Sequence, residues 1–546
     1  MRDKAAQLVM PWIAGSYAAA DDATTRQVYR WIDSLHVGGL IISVGPPTEI
    51  AAKLNAFQRR SRLPLLVGSD LESGTSIRLQ GGTAFVPQMG LGAVGDTVLA
   101  EAVGRITARE GRAVGIHLAF APVADVNNNP DNPIINTRAF GEDAEAVSRL
   151  TVALLQGIER NGMAATVKHF PGHGDTGTDS HIALPLVTAS LPRLDSVELR
   201  PFKAAIAAGV TGVMSAHLAF PALTGDSVRP GTLSPAVLTG LLRQQLGFQG
   251  LVVTDALDMG AVVNTFGNAE AAVLALEAGA DLLLQPKDAE VAISAVAAAV
   301  TTGRIPMARL DASVRRLLAL KLRLGLFRER LVSIDSVAEV VGRQAFVRVA
   351  RDAAVRSLVL AEDASGAVAA MRTTPSRVAV VTYDVEPRSA AAAPLVAALR
   401  ARGDTVAVIR LSAQSGTAAL DSARVALAAA RTTVAVIAVR AVSGRGSIGV
   451  PAPITALLDT AASQQPMVLV SLGSPYVIRA LPHVTSYLLG WSTVAAAEQA
   501  VAAALAGGAA ITGRLPVSIP PRYSLGQGLF VPPAARTPIP TGSLGN

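Results

Sequence analysis

The sequence of 546 residues contains no cysteine. Disulfides, thiolate metal sites and a thiol nucleophile are therefore excluded. No stretch of about 20 residues is free enough of polar interruption to span a bilayer as a helix. The opening MRDKAAQLVM PWIAG lacks an apolar signal core, because Asp3 and Lys4 stand where one would begin. As it stands the chain reads as a cytoplasmic protein with no membrane span; a trimmed leader before Met1 would make it an exported one. Blocks of Lys or Arg are also missing. The net charge of +7 is the difference of 48 basic and 41 acidic residues scattered along the chain, which describes a solvated surface and not a nucleic-acid footprint. No phosphate-binding P-loop occurs. Neither a nucleotide, another cofactor nor a metal is expected.

What is present is a globular composition, 50% hydrophobic and 16% charged, in a chain too long for one ordinary core. The first part alternates short apolar runs with longer amphipathic stretches. Strands are expected at 38–43 (GGLIIS), 65–70, 118–126, 165–170, 212–217, 251–255 and 281–285, and helices at 96–114, 143–160, 194–208 and 269–278. Strands that are apolar nearly throughout and separated by helices indicate a parallel sheet covered by helices. Repeated over about 330 residues, the pattern predicts a (β/α)8-type TIM barrel for residues 1–333, with the eighth strand unassigned. Residues 334–356 read as one long helical linker. A second alternating set at 357–531 predicts a three-layer αβα sandwich, with a Pro, Gly and Ser-rich flexible tail at 532–546.

The chemistry concentrates in residues 168–181, KHFPGHGDTGTDSH. This segment follows directly on a strand, and its Pro and Gly content makes it a loop. Three of the seven histidines fall here, with Asp175 and Asp179. A cluster of titratable groups on a loop is hard to explain by packing, and barrel enzymes place their sites on loops of this kind. The segment resembles, without a gap, the signature of the β-N-acetylglucosaminidase branch of family 3 glycoside hydrolases. Other segments resemble the same family: 67–74 (VGSDLESG), 136–141 (NTRAFG), 253–259 (VTDALDM) and 512–520 (TGRLPVSIP). The resemblance runs nearly end to end.

It implies a retaining, exo-acting hydrolase that releases terminal β-linked N-acetylglucosamine, from peptidoglycan (muropeptide) fragments or chitin-derived chains. Carbohydrate is the expected partner; the oligomeric state is left open. Asp255, at the end of a buried strand, is implied as the nucleophile of a double displacement; a carboxylate there also suits a helix cap. His181 with Asp179 is implied as the acid/base dyad. An aspartate on one ring nitrogen fixes the tautomer, and the other nitrogen exchanges the proton. Asp70, Arg138, Lys168 and His169 form the expected sugar-holding set, against the alternative of rim ion pairs, with Glu72 pairing with these residues from behind and not touching the sugar. His173 and Asp175 are expected to shape the loop, and His217 to support the site. Asp258, His117 and Asp125 read as structural, and His36 and His483 have no context. The basic segment 443–449 reads as a plain surface loop, with a lid or a contact for an anionic aglycone as the alternatives.

Three competing functions remain at this level. A metal hydrolase would use His169, His173, Asp175, Asp179 and His181 as ligands. A phosphorylase would let phosphate replace water after Asp255 is glycosylated. A catalytically dead sugar-binding protein would keep the fold alone.

Overall fold

The computed structural model describes residues 1–385, 392–442 and 444–534. Most of the expected tail, and residue 391, the first of an Ala-rich helix that the sequence predicts at 391–400, lie outside these. The chain divides into two compact units. The first takes Met1–Ala353 with Arg440–Ile448 and Pro516–Leu525, and the second takes the rest.

In the first unit the strands are parallel and run in sequence order from Trp12–Ile13 through Gly39–Ile42, Leu66–Ser69, Leu118–Ala119, Ala164–Phe170 and Gly212–Ser215 to Leu251–Val253. Leu283–Leu284 continues the ring through a bridge between Val253 and Leu282 and pairs with Val9–Met10. The barrel is thus closed. The unassigned eighth strand is the segment 9–13, broken into two dipeptides at Pro11, which has no N–H to give a ladder. Each piece pairs with a different neighbour, so no run long enough to read as a strand exists in the sequence.

Every strand contributes a buried side chain to one cluster: Met10, Ile41, Leu66, Leu118, Ala164, Met214, Leu251 and Leu284. Each large apolar side chain so buried stabilises by about 1.5–3 kcal/mol. Aspartates cap the covering helices. Asp96 accepts from the N–H groups of Val98 and Leu99, and Asp143 from that of Ala146.

Three expectations need correction. The strand expected at 118–126 ends at Ala119. Beyond it Pro122 withholds a donor, and the Gln88 amide takes over, accepting from Val123 N–H at 3.0 Å and donating to its carbonyl at 2.7 Å. The helix expected at 194–208 is two, Leu191–Ser196 and Arg200–Ala207, the second with Pro201 in its first turn. The linker expected at 334–356 is also two helices, Val337–Val340 and Gln344–Ser357. Between them Gly342 has φ of 70°, outside the helical region.

The second unit holds a six-stranded sheet in the order Val359–Asp363, Ser486–Leu489, Met467–Ser471, Thr432–Ala438, Arg377–Asp384, Thr405–Leu411. Only the first strand is antiparallel to its neighbour. Ala393–Arg402 packs with Ala495–Leu505, and Thr417–Ala428 with Ala452–Gln464, giving the two helical layers of the expected αβα arrangement. Among the described residues no helix is long and apolar enough to cross a membrane.

The helices Thr97–Ala113 and Ala144–Glu159 cross at glycines. A Cβ on Gly157 would lie 2.1 Å from the Glu101 carbonyl oxygen, and one on Gly104 would lie 2.2 Å from that of Leu154. Gly157→Ala is expected to destabilise by about 1–3 kcal/mol and lower Tm by several degrees in a thermal melt. An unchanged Tm would contradict the close crossing.

Candidate active site

Strand ends on one rim of the barrel carry the polar groups, as parallel barrels arrange them. Asp70 and Glu72 follow Leu66–Ser69, and Asp125 lies beyond Leu118–Ala119. Lys168 and His169 are on Ala164–Phe170. His217 follows Gly212–Ser215, and Asp255 follows Leu251–Val253.

Lys168 is only 3% exposed. Its Nζ lies 2.9 Å from Asp70 Oδ1 and 2.7 Å from Glu72 Oε1. Arg138 forks onto Glu72, Nε to Oε2 at 2.9 Å and Nη2 to Oε1 at 2.8 Å. Arg78 Nη2 reaches Asp70 Oδ2 at 3.1 Å. Burial alone would push both carboxyls up. The charges of Arg138 and Lys168 instead hold Glu72 well below its ordinary value, and Lys168 and Arg78 hold Asp70 down. Lys168 is raised by the same two acids against its own burial. Of the expected sugar-holding set, Asp70, Arg138 and Lys168 therefore form one ion lattice in which Glu72 is the shared carboxylate.

His169 joins this lattice through its ring. Arg138 Nη2 is 3.3 Å from Nε2, and Asp125 Oδ2 is 2.7 Å from Nδ1. A guanidinium only donates, so Nε2 accepts and Nδ1–H donates to Asp125. Here His169 is an acceptor toward the rim. Asp125, fully buried, also accepts at Oδ1 from the N–H groups of His169 at 3.1 Å and His173 at 2.7 Å. It organises the site. Its sequence signal, an Asp within the apolar run LAFAPVADV, is also that of an ordinary core polar residue.

The His173 ring is buried between Thr176 Oγ1 at 2.9 Å and Ser180 Oγ at 3.1 Å. Burial, then the neighbouring His169, pushes its pKa down to about 4, so it is a neutral strut. Asn132 Nδ2 donates to the carbonyls of His173 and Gly174, each at 2.9 Å. Asp175, expected to hydrogen-bond in this loop, makes no side-chain hydrogen bond among the described residues; its charge bears on the buried Glu198.

At the end of the loop Asp179 Oδ1 accepts from His181 Nδ1 at 2.8 Å and from His181 N–H at 2.9 Å. Asp179 Oδ2 accepts from the N–H of Gly444 at 2.8 Å. Burial would raise this carboxyl; the His181 bonds and charge, with the Gly444 bond, outweigh it and hold it down. The His181 side chain is 33% exposed while that of Asp179 is fully buried. His181 Nε2 has no partner among the described residues. The described part of segment 443–449, residues 444–449, is thus no plain surface loop: Gly444 is bonded to Asp179. Its spelling from Gly444 to Gly449 follows Gly-x-Gly-x-x-Gly, but the first N–H is already engaged by a carboxylate, where a dinucleotide loop would offer it to phosphate.

Asp255 Oδ1 accepts from the N–H of Ala256 at 2.8 Å. Its other oxygen has no hydrogen bond among the described residues. Burial would raise this carboxyl, but the imidazoles of His169 and His217, the Ala256 N–H and the His181 imidazole hold it at about 2. Three histidines from three separate strand and loop positions therefore bear on one carboxylate. His217 donates from Nε2 to the Ala256 carbonyl at 2.9 Å and meets Thr232 Oγ1 at 2.9 Å through Nδ1. Burial lowers its pKa, so it braces the turn that carries Asp255. Asp258 is exposed and takes Gln285 Nε2 at 2.9 Å. His117 is buried and accepts from Val67 N–H at 3.1 Å. His36 pairs with Asp3 at 3.3 Å, and His483 with Asp459 at 2.7 Å. No three His, Asp or Glu side chains converge as a metal site among the described residues.

Residues 1–320 match the model described as glycosyl hydrolase family 3 N terminal domain, and residues 340–528 match the family 3 C-terminal domain. The chain belongs to glycosyl hydrolase family 3. Among its relatives, a Cellulomonas fimi protein named beta-N-acetylglucosaminidase/beta-glucosidase is 34% identical over 360 residues, 64% of each chain. Beta-hexosaminidase A of Pseudoalteromonas piscicida is 34% identical over 347 residues, 57% of each chain. The matches thus span less than two thirds of the length of these two relatives. A solved family 3 beta-N-acetylglucosaminidase from Paenibacillus sp. str. FPU-7 is 35% identical, with a TM-score of 0.84, covering 95% of this chain and 99% of that one.

The lowered carboxyl at Asp255 has a consequence for stability. A depressed pKa adds stability that is complete above the unfolded value of about 4. It is lost as pH falls through the folded value of about 2. In paired denaturant melts, the margin of the wild type over Asp255→Asn is expected to shrink as pH falls from about 4 toward 2. A margin that grows over that interval would contradict the assignment.

Proposed function

We propose that the chain is a retaining, exo-acting β-N-acetylglucosaminidase with Asp255 as nucleophile and His181–Asp179 as acid/base. One observation carries the reading. An ionised carboxylate with one unbonded oxygen shares a barrel mouth with an imidazole whose Nε2 is free and whose Nδ1 is held by a buried aspartate.

In the first step an Asp255 oxygen bonds to the anomeric carbon. The bond from that carbon to the leaving oxygen breaks, and the leaving oxygen takes the proton of His181 Nε2. In the second step a water oxygen bonds to the same carbon, its proton passes to His181, and Asp255 is released. Asp179 stabilises the imidazolium in the state that carries the proton. The lattice of Asp70, Glu72, Lys168, Arg138 and His169 offers donors and acceptors at fixed positions for ring hydroxyls. Such contacts accelerate the reaction where they tighten as the ring flattens toward an oxocarbenium ion. His173, Asp125 and His217 hold these groups in place.

The preference for a 2-acetamido sugar is supported by the activities for which the relatives are named. The substrate in this reading is a terminal N-acetylglucosamine on a cell-wall (muropeptide) fragment.

The test is leaving-group dependence. His181→Ala is expected to lose about 10²–10⁴-fold in kcat/KM on glycosides of poorly acidic alcohols. On dinitrophenyl glycosides, which need no proton, it should stay within about tenfold. An equal loss on both classes would remove His181 from the role.

A further inference from the structure

Arg445 lies between Gly444 and Gly446, which have φ of 78° and 71°, a turn that L-residues with side chains rarely adopt. Both glycines touch the segment that carries the acid/base dyad. Gly444 N–H binds Asp179 Oδ2 at 2.8 Å. A Cβ on Gly446 would stand 3.1 Å from Ile182 Cδ1, and Ile182 is the residue after His181. Arg445 is therefore fixed beside the dyad at two points. Its own side chain is exposed and has no hydrogen-bond or ion-pair partner among the described residues. Consecutive Cα atoms are about 3.8 Å apart, so an extended arginine on this turn stays within reach of whatever docks against the dyad.

Three other cations at the mouth are balanced. Lys168, Arg138 and Arg78 are all paired with Asp70 or Glu72. Arg445 alone of these four carries an uncompensated charge. His181 Nε2 marks where the glycosidic oxygen must lie, and the sugar ring lies toward Asp255 and the ion lattice. What remains on the far side of that oxygen is the leaving group, or the acceptor that later replaces it.

We propose that Arg445 is a specificity residue that recognises an oxyanion on the leaving-group side of the dyad, either a carboxylate carried by the aglycone or a free phosphate in the same place. This rests on the reading of His181–Asp179 as acid/base. A planar guanidinium binds either anion through two parallel N–H bonds, which a lysine cannot do.

The test uses two substrates of nearly equal size and leaving-group acidity, the 3-carboxyphenyl and 3-carbamoylphenyl β-N-acetylglucosaminides, in phosphate-free buffer. The readout is the ratio of kcat/KM for carboxylate over carboxamide. Arg445→Gln is expected to lower that ratio about five- to tenfold relative to wild type, with Arg445→Lys between the two. In the second arm inorganic phosphate is titrated against the carboxamide substrate. A phosphate effect present in wild type and absent in Arg445→Gln, with the ratio unmoved, assigns the site to free phosphate. Variants that keep both the ratio and the phosphate response of wild type overturn the proposal, as does a loss that falls equally on both substrates. Turnover of neither substrate by wild type would overturn the parent reading itself; the other failures concern Arg445 alone.

Discussion

Charge balance in a small volume is the constraint on which this site depends. Asp70, Glu72, Asp125, Asp179 and Asp255 converge near one end of the barrel. Two unit charges 4 Å apart interact by about 4 kcal/mol at the effective dielectric of such a site. Unpartnered, several of these acids would take up protons. Each instead has its own cation or N–H donors. Lys168 serves two carboxylates, Arg138 forks onto one, and Asp125 and Asp179 each collect backbone N–H groups.

The balance also separates roles. The carboxylates of the lattice have their oxygens engaged by cations. Asp255 is different: one oxygen takes the Ala256 N–H, and the other is left unbonded in a mouth that histidines make favourable to negative charge. A nucleophile needs a free lone pair and full ionisation together, and this arrangement supplies both. His181 is the counterpart. One nitrogen is committed to a buried aspartate and the other has no partner among the described residues, the condition for a group that must both give and take a proton.

Much of this is legible in the sequence, for identifiable reasons. Parallel strands buried on both faces leave apolar runs, so six of the barrel strands are placed within a few residues. The segment 9–13 is not, because Pro11 splits its pairing between two neighbours. The loop 168–181 announces itself through density of His, Asp and Gly. Asp125 does not, since a buried organising carboxylate and a capping one look alike in a single sequence. Arg78 follows Asp70 by eight residues with no motif around it. Gly444 is 265 residues beyond Asp179 and acts through its backbone N–H, which every residue but proline possesses. Such a contact is specified by the path of the chain and not by residue type.

The central claim is that the sugar is transiently bonded to Asp255. The most direct measurement is mass spectrometry of a proteolytic digest after reaction with a slow fluorinated N-acetylglucosaminyl donor. The account predicts one glycosyl adduct on the peptide containing Asp255, with higher occupancy in His181→Ala, where release by water has lost its base. An adduct on another carboxylate, or turnover of the donor with no adduct in either protein, would contradict it.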